Sequence, residues 1–214
     1  MIKVENIETF GWEAAFRGMR NPKNSWAKSD SYNTESNGYY IGENDMKLAS
    51  TLTKAGTEHR KFTRMIHVQM DITAPMFWWS EFDTYKIGTT RNSCSKMHTI
   101  HIKPLELDDF AHEGCKEVPI AYDALVEVIF ACDQLRNLFN ETHDRKYWRA
   151  LIELLPESYM MTATWDGSFE TMLNIMHQRD GHKLKEEWEP FRKACFDNIP
   201  YLEEFYNIAY KKGE

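Results

Sequence analysis

No run of this chain approaches the roughly 20 consecutive apolar residues of a membrane-spanning helix, and the opening Met1-Ile2-Lys3-Val4-Glu5-Asn6 lacks the apolar core of a secretory signal. Both absences predict a cytoplasmic protein. Cysteine is scarce: Cys94, Cys115, Cys132 and Cys195 include no C-x-x-C pair. That excludes the zinc-ribbon and thioredoxin patterns and predicts reduced thiols. A basic excess is also missing, since 26 Lys and Arg stand against 33 Asp and Glu for a formal charge of −7. A non-specific grip on nucleic-acid backbones is therefore not expected. The P-loop, the G-x-G-x-x-G turn, the G-x-S-x-G elbow and the H-E-x-x-H helix are all absent.

What is present suits one domain over residues 1–214, because 42% hydrophobic residues, including seven Trp, can fill a core in a chain of this length. Residues 7–19 read as a helix and 21–44 as a long irregular polar segment. Asn44 or Asp45 is placed to cap a helix that stops at Ala55-Gly56. Residues 65–73 alternate Met65, His67, Gln69 and Asp71 with Ile66, Val68, Met70 and Ile72, the pattern of a strand with one apolar face. Pro75 then opens a helix in which Met76, Phe77, Trp78, Trp79 and Phe82 are apolar on too many sides for free exposure, so burial between subunits is expected. Residues 86–95 read as a small polar loop and 98–103 as a short strand or extended connection. Helical periods follow through Tyr122 to Leu138, Trp148 to Leu155, Phe169 to Met176 and Trp188 to Cys195.

Several residues stand out chemically. Continuing the apolar stripe of Phe169, Met172 and Met176 reaches Arg179 and then His182, which sets a charge along a core-facing line. A buried guanidinium needs a carboxylate or an anionic ligand, although an arginine at a helix end also snorkels outward. Glu58 and His59 form a polar pair beside Phe62. His98 and His101 share a face only if their segment is helical. The loop from Lys86 to Ser95 is dense in small hydrogen-bond donors that suit a phosphate or a plain surface turn.

In order and spacing these features resemble the flavin-dependent thymidylate synthase family. In that family a helix with Glu-His and then Phe-Thr precedes a strand, and Glu58, His59, Phe62 and Thr63 precede residues 65–73 here. Ala74-Pro75 matches the Ala-Pro that follows. The family's Gln falls on Glu81. Its signature R-H-R-x-x-S-x-N-x-x-S-x-R falls on Thr84-Tyr85-Lys86, Thr89, Asn92, Ser95 and Met97, with one residue inserted. Leu155-Pro156, Asn174 and Arg179 then keep the family's separation without a gap, while Thr162 replaces an Arg and Ser168 an Asn.

The resemblance implies an α+β fold with one central, mainly antiparallel sheet, flanking helices and a helix-rich C-terminal half. It also implies a homo-oligomer, in this family a tetramer, that binds FAD and a dUMP-like pyrimidine nucleotide. One-carbon transfer to the pyrimidine would make it a methyltransferase of nucleotide biosynthesis, with NADPH and a folate one-carbon donor if that chemistry is retained. On this resemblance Arg179 is the catalytic residue that holds and polarises the pyrimidine, with Glu81, Lys86 and Ser95 also at the substrate. His59, Asn92 and Asn174 line the flavin, and no metal is implied. The alternative is a non-catalytic oligomeric scaffold of the same fold.

Overall fold

A computed structural model describes residues 2–34 and 38–211. The chain runs through β1 (Lys3–Phe10), α1 (Trp12–Met19), β2 (Tyr32–Thr34), β3 (Gly38–Tyr40), α2 (Glu43–Lys54), β4 (His67–Pro75), α3 (Met76–Phe82) and β5 (Thr89–Ser93). It continues through α4 (Lys96–Thr99), α5 (Glu113–Lys116), α6 (Pro119–Thr142), α7 (Arg145–Leu154), β6 (Met160–Ser168), α8 (Phe169–Gln178), α9 (Lys185–Asn198) and α10 (Leu202–Tyr210). Strands β1, β4, β6 and β5 form one antiparallel sheet in that order, and β2 pairs with β3 in a separate hairpin. The class is α+β with flanking helices and a helix-rich C-terminal half, as the resemblance implies. Among the described residues no helix is long and apolar enough to cross a membrane.

Alternation fixes the faces of the two inner strands. In β4, Val68, Met70, Ile72 and Ala74 are buried, while His67, Gln69, Asp71 and Thr73 lie on the open side. In β6, Ala163, Trp165 and Gly167 are buried and Thr162, Thr164 and Asp166 are not. Gly167 is required there, because a Cβ would fall 2.3 Å from the Trp165 ring that lies over it. Opposed side chains meet across the pair, as the Thr73 and Thr162 hydroxyls do at 2.7 Å and Gln69 and Asp166 at 3.2 Å.

The chain divides into two compact units, and both β4 and β6 change unit midway, at Ile72 and Trp165. The first unit (residues 1–3, 72–84 and 92–164) packs Ile100, Leu105, Phe110, Leu125, Ile129, Cys132, Leu151 and Leu155 into one cluster. Burial pushes the Cys132 thiol up to about 11, so it is inert as a nucleophile. The second unit (4–71, 85–91 and 165–214) is built around aromatic side chains. Trp12 meets Phe169 edge-on at 5.5 Å, and Phe16, Phe62 and Phe205 continue the contact.

Four local expectations change. Residues 7–10 belong to β1, because the helical period starts only at Trp12, after Gly11 in a left-handed conformation. The 21–44 segment contains two short 3₁₀ turns and the β2–β3 hairpin. Strand β5 occupies 89–93 of the expected polar loop, and residues 98 and 99, at the start of the segment expected as a strand or extended connection, close the helix Lys96–Thr99. Finally, Trp78, Trp79 and Phe82 are 0, 3 and 1% exposed within the chain, and the Trp79 indole donates to the Met161 carbonyl at 3.0 Å. These three rings are buried within the chain itself, so their burial carries no argument for a second subunit.

Asp45 is fully buried and does not cap its own helix. Asp30 does so instead, accepting from the Asn44 and Asp45 backbone N–H groups at 2.8 and 3.0 Å. The Asp45 carboxylate takes the Arg20 guanidinium at 2.5 Å and the Ser29 and Ser31 hydroxyls at 2.7 Å each. Desolvation raises its pKa, but the hydrogen bonds from Ser31, Ser29, Arg20 and Asp30 outweigh this and hold it below the ordinary carboxylate value. A depressed folded-state pKa contributes stability above the unfolded value, about 3.9, that is lost as pH falls through the folded value. Native chain is expected to lose stability across that acid window, and Asp45→Asn to show a flatter loss; parallel melting curves between pH 5 and 2.5 check it.

Candidate functional site

Helix α8 begins where the Ser168 hydroxyl accepts the Thr171 N–H, and it buries Phe169, Glu170, Met172, Leu173, Ile175 and Met176. The helix ends at Gln178, so Arg179 is its C-terminal cap and is half-buried. The expected stripe stops one turn short of His182, which lies in the following loop and accepts the Leu184 N–H. Arg179 Nε donates to the Tyr85 hydroxyl at 2.8 Å. Its guanidinium carbon lies 5.3 Å from the Tyr85 ring centroid and 4.7 Å from that of Trp188. Two ring faces thus hold a planar cation in place, a geometry suited to presenting it to an anion or a carbonyl.

The other residues singled out above are distributed as follows. His59, Lys86, Asn174 and Arg179 belong to the second unit, and Glu81, Asn92 and Ser95 to the first. His59 and Lys86 are exposed on connecting turns, and Asn92 is exposed on β5. Ser95 precedes α4, and its carbonyl accepts the His98 and Thr99 N–H groups. Glu81 is half-buried on α3. Asn174 is held from within, its Oδ1 accepting the Tyr210 hydroxyl at 2.8 Å.

Sequence reasoning passed over the charged pair beneath this helix. Arg60 and Glu170 are 3 and 6% exposed and meet in a bidentate pair, with contacts of 2.8 and 2.9 Å. Thr63 adds its hydroxyl to Glu170 at 2.7 Å, and Arg60 donates to Tyr210 at 3.0 Å. Burial opposes the Arg60 charge, but Glu170 outweighs it and raises the pKa further. Burial likewise lifts the Tyr210 phenol above its usual value, so it remains a donor to Asn174. The one local signal was Glu170 itself, an acid in the first turn of an otherwise apolar helix.

This architecture is the fold of the flavin-dependent thymidylate synthases. Thymidylate synthase X from Helicobacter pylori, solved with FAD and dUMP, superposes with a TM-score of 0.70 at 18% identity, covering 98% of this chain and 100% of that one. A second structure, the flavin-dependent thymidylate synthase of the same organism complexed with FAD and dUMP, gives 0.68 at 18% identity over 97% and 98%. No family description matches the sequence, and no curated protein does.

For a flavin, the side chains bear on fit through their free polar groups. His59 and Asn92 make no side-chain hydrogen bond to another described residue, and Asn174 keeps its amide N–H₂ donor while its oxygen is taken. Each is a group that can donate to an acceptor on a heteroaromatic ring.

Proposed function

We propose that the chain, taken over residues 1–214 as one domain, is a divergent flavin-dependent thymidylate synthase-like protein that binds FAD and a dUMP-like pyrimidine nucleotide. The observation that carries this reading is the full-length likeness in fold to two proteins solved with that pair of ligands. Arg179 meets the pyrimidine or its phosphate, with Glu81, Lys86 and Ser95 as further substrate contacts. His59, Asn92 and Asn174 hold the flavin by hydrogen bonds. FAD, when bound, supplies the redox chemistry that the protein's own side chains lack.

One-carbon transfer to the pyrimidine, with NADPH and a folate donor, completes the reading. So do a cytoplasmic location and a homo-oligomer, for which a tetramer is the expected state. In the signature segment Thr84 and Lys86 stand where guanidinium groups are expected, so phosphate is held by a point charge without a bidentate fork. Nucleotide binding is accordingly expected to be more salt-sensitive than a bidentate site would make it.

Titration with FAD tests the reading. Flavin fluorescence is expected to change saturably, and FAD at a hundredfold its dissociation constant to stabilise the chain by about 2.7 kcal/mol. Unchanged fluorescence together with an unmoved melting curve would refute flavin binding. Light scattering of the same sample reads the assembly, and a monomer mass at micromolar concentration would refute the oligomer.

A further inference from the structure

We infer that Tyr210, steered by Arg60 and Glu170, is a positioning residue that fixes which way the Asn174 amide faces, so that Asn174 offers its ligand a donor and never an acceptor. The inference rests on the placement of Asn174 at the flavin proposed above. All four residues belong to the second unit.

Glu170 and Asn174 stand one turn apart on α8, and Tyr210 closes α10. The oxygen and nitrogen of a carboxamide are nearly equal in shape, so a half-buried asparagine turns over at little cost unless its neighbours choose for it. Here they do. Arg60 Nη2 carries two hydrogens, and it donates to Glu170 Oε1 at 2.9 Å and to the Tyr210 oxygen at 3.0 Å. A guanidinium only donates, so the phenol oxygen is the acceptor and its own proton is left for another neighbour. That neighbour is Asn174, at 2.8 Å. An amide nitrogen does not accept, so Oδ1 faces the phenol and the N–H₂ group faces away, with no partner among the described residues.

The phenol is itself held in place. His177 stacks on its ring with centroids 4.1 Å and planes 6° apart, and the Arg60 guanidinium carbon lies 5.3 Å from the ring centroid. Arg60 is fixed in turn by its bidentate contact with Glu170, which also takes the Thr63 hydroxyl at 2.7 Å. The buried ion pair is thereby expressed, one turn along α8, as an oriented donor. The edge of a flavin ring offers carbonyl oxygens and unprotonated nitrogens beside a ring N–H, and a fixed donor pairs only with the acceptors.

Tyr210→Phe keeps the ring and removes only the hydroxyl. In the ligand-free protein, nitrogen-15 relaxation of the Asn174 side-chain amide, assigned by its loss in Asn174→Ala, is expected to report a rigid group in the native chain and a mobile one in Tyr210→Phe. Calorimetric titration with FAD is expected to show binding about three- to tenfold weaker in Tyr210→Phe, the range of one neutral hydrogen bond, and no further weakening when the change is added to Asn174→Ala. The paired change Arg60→Met with Glu170→Leu separates positioning from stability. It is expected to regain much of the melting temperature lost in Glu170→Ala and still to leave the amide mobile; a rigid amide there overturns the part given to Arg60 and Glu170. Equal amide order in native and Tyr210→Phe chains overturns the whole inference. So does an FAD affinity that is unmoved by Tyr210→Phe, or that falls equally with and without the Asn174 side chain. A native chain that binds no FAD refutes the flavin reading instead, and the relaxation measurement alone then decides the positioning role.

Discussion

Glu170→Ala is expected to cost about 3–5 kcal/mol, because removing one member of a buried ion pair leaves the Arg60 charge without compensation. Both side chains lie almost wholly inside the second unit, and Glu170 accepts from Arg60 and Thr63 together. For a chain of this size that loss corresponds to a melting temperature lower by roughly 6–20 °C. The double change Arg60→Met with Glu170→Leu is expected to recover much of it, since well-packed apolar residues replace a buried pair at little cost. Thermal melts of the three proteins decide the matter. A single variant that melts within a degree or two of the native chain would show that water reaches the pair and that its burial is not what matters.

The second large effect falls on binding. Arg179→Ala is expected to weaken dUMP affinity about ten- to a hundredfold, the worth of a hydrogen bond to a charged group, roughly 1.5–3 kcal/mol. Arg179→Lys is expected to rescue little, because an ammonium reproduces neither the planar fork nor the stacking between the rings of Tyr85 and Trp188. Some stability is lost with either change, since Tyr85 gives up its partner at 2.8 Å. Calorimetric titration beside melting curves separates the two roles. Equal dUMP affinity in native and Arg179→Ala chains, with only the melt lowered, would leave Arg179 a structural clamp.

The parts of the fold legible in the sequence were those with a strong period. Strand β4 was readable because β-branched and sulfur-containing residues alternate with polar ones without interruption, and α6 because its apolar positions recur over many turns. Strand β6 was passed over for a physical reason. Its buried positions include Ala163 and Gly167, the latter without a Cβ because the Trp165 ring takes that space, so the alternation is one of volume more than of hydropathy. Helix α10 was passed over as well, since Tyr206 and Tyr210 present as polar what is largely ring surface.

The candidate site was legible only in part. Arg179 drew notice as a charge on an apolar stripe, and the stripe then proved to end at Gln178. Tyr85, which takes its Nε–H, lies 94 residues earlier, and Arg60 lies 110 residues before Glu170. No local window of sequence contains such a pair. Each partner viewed alone is an ordinary polar residue beside a turn, and only the fold makes them neighbours.

The pairing of β4 bears on how the chain comes to be made. Asn6 meets Asp71 across 65 residues, and Thr73 meets Thr162 across 89. At ribosomal rates of about 5–20 residues per second, Thr162 arrives roughly 5–20 s after Thr73. For that interval the nascent strand has Val68, Met70 and Ile72 on one side and an edge of unanswered amides toward the missing β6. Chaperones and neighbouring nascent chains meet it in this state, and late non-local closure is expected to limit the yield of native protein more than its final stability does.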